Sequence, residues 1–338
     1  MREPSPGVGD VTNPVAALGG FTLCVQSAIC VALALSLDAI VGEPPETIHP
    51  VALFGRMIAP LDRVWPFSRA VGASIALVAP LAVAFLAGWL VEFATTVPVL
   101  SSIVAGLVLF STLSLRRLLT RARDVIAASE TDPDKSRERL PALVGRDPTE
   151  LSPGLIRSAS VESLAENLAD GFVAPLLAFA LGSQLSLSIG IAAAVWVKAV
   201  NTLDSMLGYR EKPVGWASAR LDDLVMWVPA RTTAVLIALT ARDFGALRRA
   251  RGWRGAPPSP NSGWPMATLA AVLDTRFEKP GVYVLNADAT LPDAATATRA
   301  IRTVAIAGAI AGGMSLVIAS VQFSPGSLGL VTVGVGSC

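Results

Sequence analysis

Histidine occurs once in the 338 residues, at position 49, and cysteine three times, with no Cys-x-x-Cys pair. That scarcity removes most zinc and haem sites, which gather several imidazoles or thiolates in one place. A disulfide scaffold is excluded as well, because Cys24 and Cys30 share one apolar run and Cys338 is the last residue. Charge is also scarce. Charged residues make up 16% of the chain, against about 25% in a soluble domain, so too few remain to coat a globular surface. Lys plus Arg (27) nearly balances Asp plus Glu (26), and a net charge of +1 gives no reason to expect nucleic acid as a partner. The glycine-lysine loop of P-loop nucleotide enzymes, GxGxxG, GxSxG and HExxH are all missing.

What fills the space is apolar: hydrophobic residues reach 52% and mean hydropathy is +0.57. A helix needs about 20 apolar residues to cross a bilayer. The runs 18–37, 70–91, 97–115, 171–197 and 303–323 meet that length, and 224–241 is a weaker sixth. The first run lies far from Met1, with Arg2 offset by Glu3 and Asp10, and reads as a retained helix rather than a secretory signal. Gly308 and Gly312 form a GxxxG that lets helices approach closely. The expected fold is therefore all-α: a polytopic membrane protein of five to six apolar segments, some re-entrant, with helical polar loops. One membrane-embedded domain over 18–323 would lie between tails 1–17 and 324–338.

Four polar segments separate the runs: 42–69, 116–170, 198–223 and 242–302. Arg116, Arg117, Arg121 and Arg123 open the second, and Arg242, Arg248, Arg249, Arg251 and Arg254 open the last. The positive-inside rule makes both cytoplasmic, with 42–69 on the same side. Strict counting then strands 198–223 on the opposite face. The conflict vanishes if 171–197 is a broken or re-entrant pair around Gly182-Ser183-Gln184, and if 224–241, interrupted by Pro229 and Arg231, is not a simple span. The turn-rich stretch 255–265 reads as a short structured loop.

Polar residues crowd the ends of these runs. Glu162, Glu166 and Asp170 recur every four residues, so a helix would line them along one face over roughly 12 Å. Such a stripe is either a solvated face or, beside the bilayer surface, a face for Mg2+ or an amine. Asn201, Asp204, Ser205 and Gly208 share a second face, which reads equally as a helix C-terminus with its cap. Arg220, Asp222, Asp223 and Arg231 form a third group, suited to Mg2+ and phosphate. Facing lipid, Arg231 would cost about 2.5–3.5 kcal/mol, so it is expected to face a polar cavity or a carboxylate. Asp38, the Gly42-Glu-Pro-Pro turn, His49-Pro50 and the loop Ser259 to Met266 complete the set, with His49 as easily a surface residue as a functional one.

In this order the clusters resemble the CobD/CbiB family of cobalamin-biosynthesis proteins. The resemblance rests on Asp38 with Gly42-Glu-Pro, His49-Pro50 and Gly55; on Ser160 to Gly171 with Ala174-Pro175; on Lys198 to Tyr209; on Arg220-Leu-Asp-Asp with Pro229-Ala-Arg231; and on Ser259-Pro-Asn261-Ser-Gly-Trp-Pro-Met266. It runs collinearly over about residues 25–285, and Met226-Trp227 after the aspartate pair departs from it. It implies an adenosylcobinamide-phosphate synthase of the cytoplasmic membrane, joining a carboxyl of the corrinoid adenosylcobyric acid to aminopropanol or its O-phosphate with ATP and Mg2+. On that chemistry Asp222 and Asp223 would hold Mg2+ with a carboxylate of the Glu162 stripe, and Arg220 and Arg231 would hold phosphates. Glu166 or Asp170 would take the amine and its proton, with Glu162 and Asp204 as further catalytic carboxylates. Asn167, Lys198, Asn201, Ser205, Tyr209, His49 and Asn261 would orient substrates. Partners would be the bilayer and other membrane enzymes of the pathway. The competing readings are a transporter, with the same charges as its path, and a non-catalytic sensor on the same scaffold.

Overall fold

A computed structural model describes residues 14–209 and 212–321. The expected tails fall largely outside that range: 1–13 of the first, and all of 324–338 with Cys338. The membrane part opens with α1 (Pro14–Ile40), the short α2 (Pro50–Ile58), α3 (Ser68–Phe93) and α4 (Pro98–Phe110). Next come α5 (Leu115–Thr131), α6 (Pro133–Arg139), α7 (Pro153–Leu168), a π-helical turn at Ala169–Val173, α8 (Ala174–Gly182) and α9 (Leu187–Leu207). The last third holds α10 (Trp216–Val225), α11 (Trp227–Ala241), α12 (Gly245–Ala250), α13 (Gly263–Leu273), strands β1 (Phe277–Lys279) and β2 (Tyr283–Leu285), and α14 (Ala294–Ala319).

Six helical stretches among the described residues are long and apolar enough to cross a membrane, and the chain is a polytopic all-α membrane protein. Local chemistry sets the element ends. Ser152 caps α7 ahead of Pro153, the Ser186 hydroxyl accepts from the Ile189 amide at 3.1 Å to start α9, and Asp293 caps α14. Large apolar side chains of α3 such as Leu81, Phe85 and Trp89 stay exposed, as suits a helix surrounded by lipid. By contrast α7 is buried around most of its circumference, from Ile156 through Leu164 to Leu168.

The run 171–197 is two helices, with α8 ending at Gly182 and α9 starting at Leu187. A Cβ on Gly182 would sit 3.0 Å from the Gly190 backbone, so the hairpin closes only with small residues at that crossing. The bonds between helices then fix which ends lie together. At one end the Gln26 amide donates to Ser101, Ser188 donates to Glu92, and Gln184 donates to the Ile318 carbonyl. At the other, Asp38 accepts from the Arg116 amide, the Ser114 amide donates to the Gly171 carbonyl, and Gly72 packs on Val214. Every polar segment therefore gathers at this second end, including 198–223, because the hairpin makes two passes where strict counting allows one. Residues 213–241 are bent by 47° between α10 and α11, not a straight span.

One element was not expected among the polar loops. Phe277–Lys279 and Tyr283–Leu285 pair antiparallel, Lys279 opposite Tyr283, around a turn with Gly281 at φ 71°. Opposed residues share a face of the ladder, so Lys279 and Tyr283 project the same way.

Candidate active site

The carboxylate stripe begins at Glu162, which is 1% exposed. Ser158 donates to its Oε1 at 2.7 Å, while Arg146 Nη2 and the Tyr283 hydroxyl donate to Oε2 at 2.9 and 2.5 Å. Burial, then the Glu162 charge, pushes the Tyr283 phenol well above its ordinary pKa, so it remains a donor. The Ser158 hydroxyl also accepts from the Glu278 amide at 2.8 Å. Glu162 thus fastens the β-hairpin to α7, and its oxygens are engaged by three donors rather than offered to a metal. Arg146, Lys279 and Tyr283 escaped the sequence reading. Pro280-Gly281 between alternating Phe277, Tyr283 and Leu285 was the hairpin signal that could have found two of them.

Glu166 and Asp170 behave differently. Asp170 lies not on the regular helix but in the π-helical turn, which swings it off the strict four-residue stripe. Asp222, Glu166 and Lys198 act on it electrostatically, and the Asn201 side chain adjoins it. The Asn201 Nδ2 also lies 3.5 Å from Asp222 Oδ1. Asp204 acts on both Glu166 and Asp222, and its buried Oδ1 has no hydrogen-bond partner. Segments distant in sequence thereby place Glu166, Asp170, Asp204 and Asp222 within electrostatic reach of their neighbours in the group, with Asn201 against Asp222.

Lys198, six residues before Asp204 on α9, is the cation next to this group. It stands at the head of an apolar groove of about 590 Å3 between α2, α3, α4 and α9, lined by Val51, Phe54, Val83, Leu107 and Ala199. Glu43 reaches towards Lys198 from the loop before α2, and pairs with Arg117. His49 is buried: its Nδ1 accepts from the Val51 amide at 3.2 Å, capping α2, and its Nε2 lies 3.7 Å from Glu43. A second, polar cavity of about 260 Å3 lies between α7 and the hairpin, lined by Arg146, Glu162, Ser163, Glu166, Lys279 and Tyr283.

The remaining expected residues divide. Asn261 is buried, donating to the Asp223 carbonyl at 2.7 Å and accepting from Arg231 Nη1 at 3.0 Å. Arg231 also stacks on Trp227 at 4.2 Å and on Trp264 at 5.5 Å, so its charge is met by aromatic faces and an amide rather than by the carboxylate or polar cavity expected. Arg220 is 70% exposed, 3.8 Å from Asp223. Asn167 donates to Ser163 at 2.9 Å, beside the polar cavity. Ser205 is spent on the Asn201 carbonyl, Gly208 ends α9, and Tyr209 is 54% exposed against Lys212. These three read as a helix terminus rather than as substrate contacts.

No three His, Cys, Asp or Glu side chains among the described residues converge closely enough to hold one ion. The donors nevertheless fit Mg2+, which commonly takes one or two carboxylates and completes its shell with water and substrate phosphates. Asp222 with Asp170 or Asp204, which act on it electrostatically, would supply such a pair, and the unpartnered Asp204 oxygen is one donor in want of a cation.

Residues 31–311 match the family model described as CobD/Cbib protein. A probable cobalamin biosynthesis protein CobD of Methanothrix thermoacetophila is 35% identical over 301 residues, 85% of this chain and 95% of that protein. The cobalamin biosynthesis proteins CobD of Mycobacterium tuberculosis and Klebsiella pneumoniae are 39% and 37% identical, covering 76% and 73% of this chain and 82% and 81% of theirs. No solved structure matches. With five motif clusters folded to one end of a helical bundle that has six candidate spans among the described residues, and a match over most of its length, the chain belongs to the CobD/CbiB family.

Proposed function

We propose that this protein acts in cobalamin biosynthesis as an adenosylcobinamide-phosphate synthase of the cytoplasmic membrane, condensing adenosylcobyric acid with aminopropanol or its O-phosphate at the expense of ATP. The observation that carries the reading is the electrostatically linked group of Glu166, Asp170, Asp204 and Asp222, with Asn201 against Asp222, between a small polar cavity and a large groove headed by Lys198. The relatives' names support the pathway, and by the positive-inside rule the arginine-rich segments favour the cytoplasmic side for this end, where ATP is available.

A carboxylate is a poor electrophile. Transfer of the terminal phosphoryl group of ATP to a carboxylate oxygen of the corrinoid gives an acyl phosphate and ADP. The amine nitrogen then attacks the acyl carbon, the C–N bond forms, the C–O bond breaks, phosphate leaves, and the nitrogen gives up a proton. Mg2+ held by Asp222 with Asp170 or Asp204 would neutralise charge on the phosphates. Asn201 fixes these carboxylates. Lys198 holds the substrate carboxylate while the groove takes apolar surface of the corrinoid, and Arg220, exposed beside Asp223, reaches the nucleotide. Glu166 orients the amine and accepts its proton.

Transport is disfavoured by geometry. A transporter places its charges near the bilayer midplane, whereas here they collect at one end of the bundle. The test is ligation by the purified protein in detergent, followed by mass spectrometry. Amide that forms only when ATP, Mg2+, the corrinoid acid and the amine are all present supports the synthase; corrinoid binding without amide under any combination contradicts it.

A further inference from the structure

Between Arg242 and Leu273 the chain carries arginine at 242, 248, 249, 251 and 254 and a single acid, Asp243. Asp243 pairs with Arg249 at 2.6 Å, so the other arginines have no carboxylate among the described residues. Arg242, Arg248 and Arg251 are exposed and solvated. Arg254 is different. It is half-buried, its guanidinium stacks on the Trp264 ring at 4.7 Å, and both its Nε and the indole Nε1 are hidden from solvent without a hydrogen-bond partner. Two buried N–H donors on stacked groups, one of them charged, are unfavourable until an acceptor reaches them.

Arg231 sharpens the demand. It stacks on the same indole at 5.5 Å and feels Arg254 as a like charge, so one ring carries two guanidiniums and no carboxylate. Its Nη1 is already spent on Asn261 and on the Trp227 carbonyl, which leaves it a source of charge rather than of a further strong bond. Arg254 is also firmly placed. Its amide donates to the Ala250 carbonyl at 2.8 Å, and a Cβ on Gly263 would sit 1.9 Å from its carbonyl oxygen, so the chain closes here only with glycine.

The neighbouring surface narrows the anion. Val228, Val235 and Leu239 are exposed along one face of α11, with Arg231 on that face between the first two and Trp227 exposed beside it. An apolar stripe ending in arginine and indole suits a molecule with a long apolar chain and an anionic head, whereas a soluble nucleotide would leave the stripe bare. Tryptophan favours the bilayer interface, and a cluster of basic residues next to a membrane helix attracts anionic headgroups.

We infer that Arg254 and the Trp264 indole N–H hold the headgroup phosphate of an anionic phospholipid whose acyl chain lies along the exposed face of α11. Arg231, Arg248 and Arg251 supply the surrounding positive field.

The test is native mass spectrometry of the full-length protein in detergent, titrated with phosphatidylglycerol and with phosphatidylcholine of the same chain length. Wild type should retain the anionic lipid in preference. Arg254→Gln should raise the phosphatidylglycerol concentration for half-occupancy about tenfold or more, the value of one charged hydrogen bond. Trp264→Phe, which keeps an aromatic face and removes the N–H donor, should raise it about threefold, and it keeps the test decisive if Arg254→Gln does not fold. Arg69→Gln, which removes an exposed charge at the same end of the bundle, should leave it unchanged. Equal affinity of wild type for both lipids, or unmoved phosphatidylglycerol binding in Arg254→Gln, would overturn the site. Equal weakening by Arg69→Gln would reduce the preference to diffuse charge and overturn it as well. Displacement of the lipid by ATP in wild type but not in Arg254→Gln would give these donors to a soluble phosphate and overturn the lipid assignment.

Discussion

Asn201 stands between Asp170 and Asp222, its Nδ2 donating to Oδ1 of the second at 3.5 Å and its side chain adjoining the first. An amide group carries two N–H donors, which is the number needed to serve two carboxylates at once. The three residues come from α9, the π-helical turn and α10, so one side chain ties together three separate parts of the site. Asn201→Leu should leave both carboxylates facing each other without a donor, lowering stability by about 1–3 kcal/mol and abolishing ligation. Thermal unfolding in detergent beside the ligation assay measures both, and a variant as active as wild type would show that Asn201 does not organise the site.

Tyr283 links the hairpin to α7 through Glu162. Tyr283→Phe keeps the ring and removes the donor, at an expected cost of about 1–3 kcal/mol. In Glu162→Gln the same hydroxyl loses a charged acceptor, so the double variant should cost less than the sum of the two singles. A double-mutant cycle by thermal unfolding checks this. Additive losses would mean that the bond does not fasten the hairpin.

Burial, against the opposing pull of Glu43, lowers the pKa of His49 below its ordinary value. The folded protein therefore binds fewer protons here than the unfolded chain, and this contribution to stability is complete above about pH 6.5 and is lost as pH falls through the unfolded value towards the folded one. The geometry agrees, because Nδ1 must be unprotonated to accept from the Val51 amide. His49→Asn, a cap that does not titrate, should flatten the fall in melting temperature between neutral and mildly acidic pH. An unchanged profile would assign the acid sensitivity to other groups.

The two-pass hairpin makes a sidedness prediction. Gln184→Cys, in the connection between α8 and α9, and Gly255→Cys, in the loop after α12, should be labelled by a membrane-impermeant maleimide from opposite sides, position 184 from outside intact cells. Cys24 and Cys30 are buried and should stay silent in both. Labelling of both new cysteines from one side would contradict the hairpin.

Much of this architecture was legible in the residues. Span lengths follow from apolar runs, and the break at Gly182-Ser183-Gln184 follows from small polar residues inside the longest of them. The shared face of Asn201 and Asp204 follows from helical periodicity. Three things were not legible. Asp170 sits in a π-helical turn, and hydrogen-bond registry of that kind leaves no composition signal. Glu162 and Glu166 look alike in the stripe, yet only the fold brings Arg146 and Tyr283 onto the first and leaves the second facing a cavity. Arg231 reads as a phosphate ligand until Trp227, Trp264 and Asn261 are seen around it, because cation–π stacking depends on contacts remote in sequence.

The central claim is that the substrate carboxylate is activated by phosphoryl transfer before the amine attacks. Adenosylcobyric acid labelled with oxygen-18 in the reacting carboxyl group, incubated with the protein, ATP, Mg2+ and the amine, tests it most directly. The account predicts that one labelled oxygen appears in the released orthophosphate, the other staying in the amide carbonyl. Amide product with unlabelled orthophosphate would contradict it.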